Sequence, residues 1–195
     1  MAGRRGMDAQ TVARAFEVMG RYLRERRVLG EIAVYGGSAI LLQFDWRKSS
    51  EDVDAVVVDG RLESEVKASV AHAAEVLGLE RDWLNNWFGM YTRLDERPED
   101  FTFIGTYPAG ETPDLRVIAA RPEYLCAMKL KALVRETLDN RDFEDAVRRA
   151  LEIGAETAHD LLSLYNSFFP DEQLSPVAST YLPEVAREIG RRRRG

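Results

Sequence analysis

Asp52 and Asp54 stand two residues apart at the head of the run Asp52-Val-Asp-Ala-Val-Val-Val58. On a strand, residues i and i+2 project from one face with Cα atoms about 6 to 7 Å apart, so the two carboxylates converge on one point. Such a pair can bridge two divalent cations about 3.5 to 4 Å apart and clamp the attacking and leaving oxygens of a phosphoryl or nucleotidyl transfer. With 33 acidic residues in 195, about six acid pairs at this spacing arise by chance, so the surroundings must decide. Two neighbouring carboxylates at the start of an apolar strand are costly without a cation. Upstream, Gly36-Gly37-Ser38 follows a β-rich run and opens a helix. Its backbone N–H groups and the positive helix end can hold a phosphate, with the Ser38 hydroxyl as a further donor. The same two glycines also suit a plain strand-to-helix turn. Lys48-Ser-Ser50 places a cation and hydroxyls just before the acid pair, where they can orient a metal-binding loop or touch a phosphate. Farther on, the helical neighbours of Lys129 are Leu125, Cys126, Ala132 and Leu133, and a lysine on an apolar face needs an anion unless it snorkels to solvent.

The elements that must position these residues follow from periodicity and punctuation. Val12, Phe16, Met19 and Leu23 recur at the helical period and predict an amphipathic helix over Ala9 to Leu29, with Gly30 as its stop. Glu31 to Tyr35 is a strand, Ala39 to Leu42 opens a buried helix, and Asp52 to Val58 is a central strand with one wet end. Leu62 to Leu77 is helical in period, and the aromatic patch Trp83 to Phe88 falls on a short helix or turn. Phe101 to Ile104 and Leu115 to Ala119 are strands separated by Pro and Gly punctuation. Beyond them the chain is helical over Pro122 to Thr137, Asn140 to Ile153 and Thr157 to Phe168. The expectation is an α/β (α+β) protein: a small mixed sheet flanked by helices over residues 1–120, C-terminal helices packed on it over 121–190, and a basic tail over 191–195.

Composition narrows the chemistry. Cys126 is the single cysteine and His72 and His159 the two histidines, which excludes a Cys- or His-rich metal cluster and leaves carboxylates to hold any metal. With no cysteine-activating histidine nearby in sequence, Cys126 reads as a packed small hydrophobe. The net charge of −6 is not the footprint of a dedicated nucleic-acid binder. Arg21, Arg24, Arg26 and Arg27, and the run Arg191 to Arg194, are expected to be solvated surface and tail. No stretch approaches the length of a membrane span and the first ten residues lack the apolar core of a secretory signal, so no membrane association is expected and the cytoplasm is the default address.

The order Gly36-Gly37-Ser38, then Lys48-x-Ser50-x-Asp52-x-Asp54, resembles the DNA polymerase β-like nucleotidyltransferase superfamily. More narrowly the chain is similar to the small bacterial nucleotidyltransferases of the domain-of-unknown-function 6036 group and to the toxin components of AbiE-type abortive-infection systems. Trp83-Leu-Asn-Asn86, Pro122 to Leu130 and Arg141-Asp-Phe-Glu-Asp145 fall where that group carries similar segments. The resemblance spans residues 30–150. It implies transfer of a nucleoside monophosphate from an NTP to an acceptor hydroxyl on RNA, a protein or a small molecule, with Mg²⁺ or Mn²⁺ on Asp52 and Asp54. It also implies phosphate contacts from Gly36, Gly37, Ser38, Lys48 and Ser50, and a Lys129 that faces the triphosphate or a site carboxylate, with Asp142 the matching acid. A purely structural Lys129–Asp142 pair is the alternative. Members usually carry a third carboxylate on a later strand, and Asp114, just before Leu115, is the acid placed for it, although Pro-Asp is also ordinary turn chemistry. Asn85 and Asn86 are implied to line a base or substrate pocket, while Trp83, Trp87 and Phe88 read as core. A toxin–antitoxin partner protein is implied too, and so is an alternative in which the fold is kept without turnover, as a regulatory or antitoxin-like binding protein.

Overall fold

The structure is a computed structural model that describes residues 6–44, 47–87, 91–110, 114–133 and 140–194. Among these the chain forms seven helices and five strands and is a mixed α/β protein of the α+β kind. It divides into two compact units, one made of Met1–Met90 with Phe101–Ala120, the other of Tyr91–Asp100 with Arg121–Gly195. None of the described helices is long and apolar enough to cross a membrane.

In the first unit the order is α1 (Ala9–Glu25), β1 (Gly30–Val34), α2 (Gly36–Gln43), β2 (Val53–Val57), α3 (Glu63–Leu77), β3 (Leu84–Asn85), β4 (Phe101–Tyr107) and β5 (Leu115–Ala120). The five strands make one sheet in the order β3-β2-β1-β5-β4. β1 runs antiparallel to β2 and parallel to β5, while β2 and β3 are parallel and β4 and β5 antiparallel. Ile32, Ala33 and Val34 of β1 and Leu115, Val117, Ile118 and Ala119 of β5 are buried, as expected of strands covered on both faces. The α1 helix begins where Asp8 accepts a hydrogen bond from Thr11 N, 2.8 Å. It ends at Glu25, short of the expected stop at Gly30, because Arg27 takes a left-handed conformation (φ 56°) and Gly30 instead opens β1. Its apolar face carries Phe16, whose ring lies 5.4 Å from that of Tyr107 and 6.3 Å from that of Trp83.

Gly20 shows how tightly α1 sits on the sheet. A Cβ added there would strike the Tyr107 carbonyl group and come within 2.6 Å of Pro108 N, all of it backbone. Helix propensity alone would make Gly20→Ala stabilising by about 1 kcal/mol, whereas overpacking against backbone costs about 1 to 3 kcal/mol. We expect a net loss of stability, read as a lower midpoint in chemical denaturation.

The second unit holds α4 (Pro122–Ala132), α5 (Asn140–Glu152), α6 (Ala158–Phe168) and α7 (Pro176–Arg194), with α4 touching each of the other three. Pro122 stands at the first turn of α4 and a capping box of Thr157 and Asp160 starts α6. The segment 134–137, expected to continue α4, lies outside the described residues. α7 buries Ala178, Leu182, Val185 and Ile189. The terminal arginines form its last turn and are not a loose tail: Arg192 holds Glu144 at 2.7 Å and Glu188 at 2.7 Å, Arg191 holds Glu188, and Arg193 holds Glu156. Much of this positive charge is therefore neutralised within the unit.

Candidate functional site

The acid pair sits at the β1-C-terminal end of the sheet. Asp52 precedes β2 at a bend and Asp54 is its second residue; both are half-buried, and Val53 between them is wholly buried. That alternation puts the two aspartates on one side. The Gly-Gly-Ser turn is fastened to the same place. Tyr35 N donates to Asp54 O at 2.8 Å, Asp54 N donates to Ser38 Oγ at 3.3 Å, and Ser38 Oγ donates to Tyr35 O at 3.0 Å. Ser38, expected as a phosphate donor, thus spends its hydroxyl proton inside the turn and holds the start of α2 against β2. Gly36 has φ 58°, a conformation that costs an L-residue about 1 to 2 kcal/mol, so glycine eases the passage of the chain from β1 into α2.

Above Gly37 lie two polar side chains. A Cβ built on Gly37 would meet the Arg47 guanidinium, 2.8 Å from its carbon, and would stand 3.2 Å from Ser50 Oγ. Ser50 is buried and fixed by a backbone pair with Met7, N to O 2.9 Å and its carbonyl to Met7 N 2.7 Å. Arg47 Nε donates to Ser49 O at 3.2 Å. The structure therefore brings Gly37, Ser50 and Arg47 together, with Lys48 exposed. Arg47 immediately precedes Lys48, the cation expected at the turn, and it is the Arg47 guanidinium that stands over Gly37. Gly37→Val is expected to displace Arg47 and to weaken NTP binding at least about tenfold, equivalent to about 1.4 kcal/mol, measured by calorimetric titration of the folded variant.

Of the stretch expected on a short helix or turn, Leu84 and Asn85 instead form β3, a two-residue strand that pairs in parallel with Val53 and Asp54, while Trp87 lies in a 3-10 turn. Asn85 Nδ2 donates to Asp52 Oδ2 at 3.0 Å, and Asn85 Oδ1 accepts from Trp87 N at 3.0 Å. This amide orients one of the two carboxylates. Trp83 is core, its indole donating to Val70 O at 3.1 Å, but Trp87 is 68% exposed, contrary to its expected burial. It follows the short strand where the chain leaves the sheet edge. Phe88 lies outside the described residues. Asn86 is exposed.

Asp114 is not brought to the pair. β5 runs parallel to β1 with Leu115 opposite Gly30, and Gly30 N donates to Asp114 O at 2.8 Å. Asp54 lies against Tyr35, five residues along β1 and so about 17 Å away. Asp114 instead accepts from Arg24 Nε at 2.7 Å, the turn-and-surface role open to a Pro-Asp. At the level of the acid pair β5 carries Ala119 and Ala120. Among the described residues no group of three His, Cys, Asp or Glu side chains is placed to hold a metal ion. Two carboxylates with substrate phosphates and water nevertheless suit the hard, octahedral Mg²⁺ ion, and Asp52 and Asp54 supply that donor set.

Lys129 and Asp142 belong to the helical unit. Lys129 is buried, 2.7 Å from Asp142 Oδ1 and 3.3 Å from Asp145 Oδ2. Burial pulls its pKa down, and the charges of Asp145 and Asp142 outweigh that pull, leaving it above the ordinary lysine value. Asp145, three residues after Asp142 on α5, adds a second carboxylate to Lys129, and that i+3 spacing is the signal for it in the sequence. Lys131 pairs with Glu172 at 2.8 Å and lies 4.6 Å over the Phe169 ring. Cys126 is buried, and burial pushes its thiol up to about 12, in keeping with a packing role. Comparison of the chain with protein-family models, curated proteins and solved structures gives no match.

Proposed function

We propose that the protein is an Mg²⁺-dependent nucleotidyltransferase that moves a nucleoside monophosphate from an NTP to an acceptor hydroxyl. The observation that carries the proposal is the fastening of the Gly36-Gly37-Ser38 turn to Asp54 through Tyr35 and Ser38, with Arg47 and Ser50 over Gly37. A helix start and a guanidinium that favour phosphate thereby adjoin two carboxylates that favour a divalent cation. In this proposal Asp52 and Asp54 hold the metal, with Mn²⁺ an equivalent ion. Gly37, Ser50 and Arg47 hold the phosphates, and the acceptor oxygen attacks the α-phosphorus as pyrophosphate leaves. Lys48 adds positive charge at the loop. Lys129 and Asp142 enter only through the family resemblance, as does a toxin–antitoxin partner. The acceptor is RNA, a protein or a small molecule.

Incubation with each labelled NTP, Mg²⁺ and a cell extract tests the proposal. Label should pass to one acceptor fraction with release of pyrophosphate. Absence of both transfer and Mg²⁺-dependent NTP binding would refute it. One observation favours a second reading, a nucleotide-binding regulatory or antitoxin-like protein: β5 offers Ala119 and Ala120 beside the acid pair while Asp114 sits at the far end, paired with Arg24. NTP binding without any transfer would select that reading.

A further inference from the structure

Beyond the acid pair, the first unit contains a cavity of about 320 Å³ against β2, β3 and α3. Its wall is aliphatic: Ala55 and Val57 of β2, Val66 and Val70 of α3, and Leu84 of β3. Val57 and Leu84 are only half-buried, so apolar surface faces the space. Polar groups stand at the rim. Lys67 is already held by Glu63 at 2.6 Å, whereas Arg81 is exposed and, among the described residues, has no carboxylate partner. The rim residue Asn85 accepts from Trp87 N and donates to Asp52 Oδ2.

We propose that this cavity is a second binding site, for a small molecule with an apolar ring and one anionic group. The volume falls at the low end of small-molecule pockets and fits one ring system, not a protein surface. The ring would cover the half-buried valine and leucine side chains, and the anion, a carboxylate or a phosphate monoester, would meet the planar fork of Arg81. The proposal does not depend on nucleotidyl transfer.

Three probes share the ring and differ in the head: naphthoate, naphthyl phosphate and neutral naphthamide. Each is titrated against the full chain by naphthalene fluorescence. At least one anion should bind saturably and more tightly than naphthamide, and the tighter anion identifies the head group. Arg81→Gln should weaken that anion at least about fivefold and leave naphthamide unchanged. Ala71→Trp, at an exposed α3 position that lines the cavity, should fill it and abolish binding of all three. The proposal is overturned if no probe binds saturably, if naphthamide binds as well as the anions, or if Arg81→Gln leaves anion affinity unchanged. It is equally overturned if a folded Ala71→Trp protein binds like the wild type.

Discussion

Asp54→Asn is expected to lower Mg²⁺-dependent NTP transfer by at least about 100-fold, the upper range for losing a mere outer-sphere partner of a metal ligand. The substitution keeps the shape of the side chain and removes the charge that a divalent cation needs. Backbone pairing should survive, because the bonds to Tyr35 and Ser38 are made by the Asp54 main chain. Stability should therefore be unchanged or raised, since two like charges on one face repel when no metal lies between them. Asn85→Ala provides the graded comparison: it frees Asp52 from its amide partner and should cost about 10- to 100-fold in metal affinity or activity without removing a ligand. A transfer rate untouched by Asp54→Asn would remove the acid pair from the chemistry.

Lys129→Met is expected to destabilise the protein by about 3 to 5 kcal/mol, because it strands the carboxylates of Asp142 and Asp145 beside each other at a largely buried site. Adding Asp142→Asn and Asp145→Asn should recover much of the loss, which distinguishes stranded charge from lost packing. Lys131→Met, at a pair whose acid is half-exposed, should cost no more than about 1 kcal/mol. The same geometry sets a pH dependence. Lys129 is raised in the folded state, so its contribution is fully present below the unfolded lysine value of about 10.4 and is lost as pH climbs through the folded value. Denaturation midpoints followed from neutral to strongly alkaline pH should fall faster in the wild type than in Lys129→Met.

The elements that carry the glycine turn and the acid pair, β1, α2 and β2, were readable from local pattern. Asp-x-Asp before a valine run, glycines after Tyr35 and the period of Val12, Phe16, Met19 and Leu23 each encode a local geometry. What escaped depends on register or on competing signals. Asp114 and the acid pair are both at strand starts, and only the parallel pairing of β5 with β1, set against the antiparallel β2, puts them at opposite ends. β3 is two residues long and gives no period to detect. α7 does carry a helical spacing in Ala178, Leu182, Val185 and Ile189, but Pro183 interrupts it and the arginine run resembles a tail. Ser38 as an internal fastener and Arg47 over Gly37 are tertiary facts, visible only once β2 and α2 are placed side by side.

The central claim is that the glycine turn and the acid strand form one metal-dependent NTP site, and NTP affinity measured by calorimetry with and without Mg²⁺ tests it most directly. For the wild type, the Asp52→Asn/Asp54→Asn double variant and Asp114→Asn, the prediction is clear. Mg²⁺ should tighten NTP binding at least about tenfold in the wild type and in Asp114→Asn, a difference of about 1.4 kcal/mol, and should have no effect on the double variant. Equal NTP affinity in all three proteins, or no Mg²⁺ effect in the wild type, would contradict it.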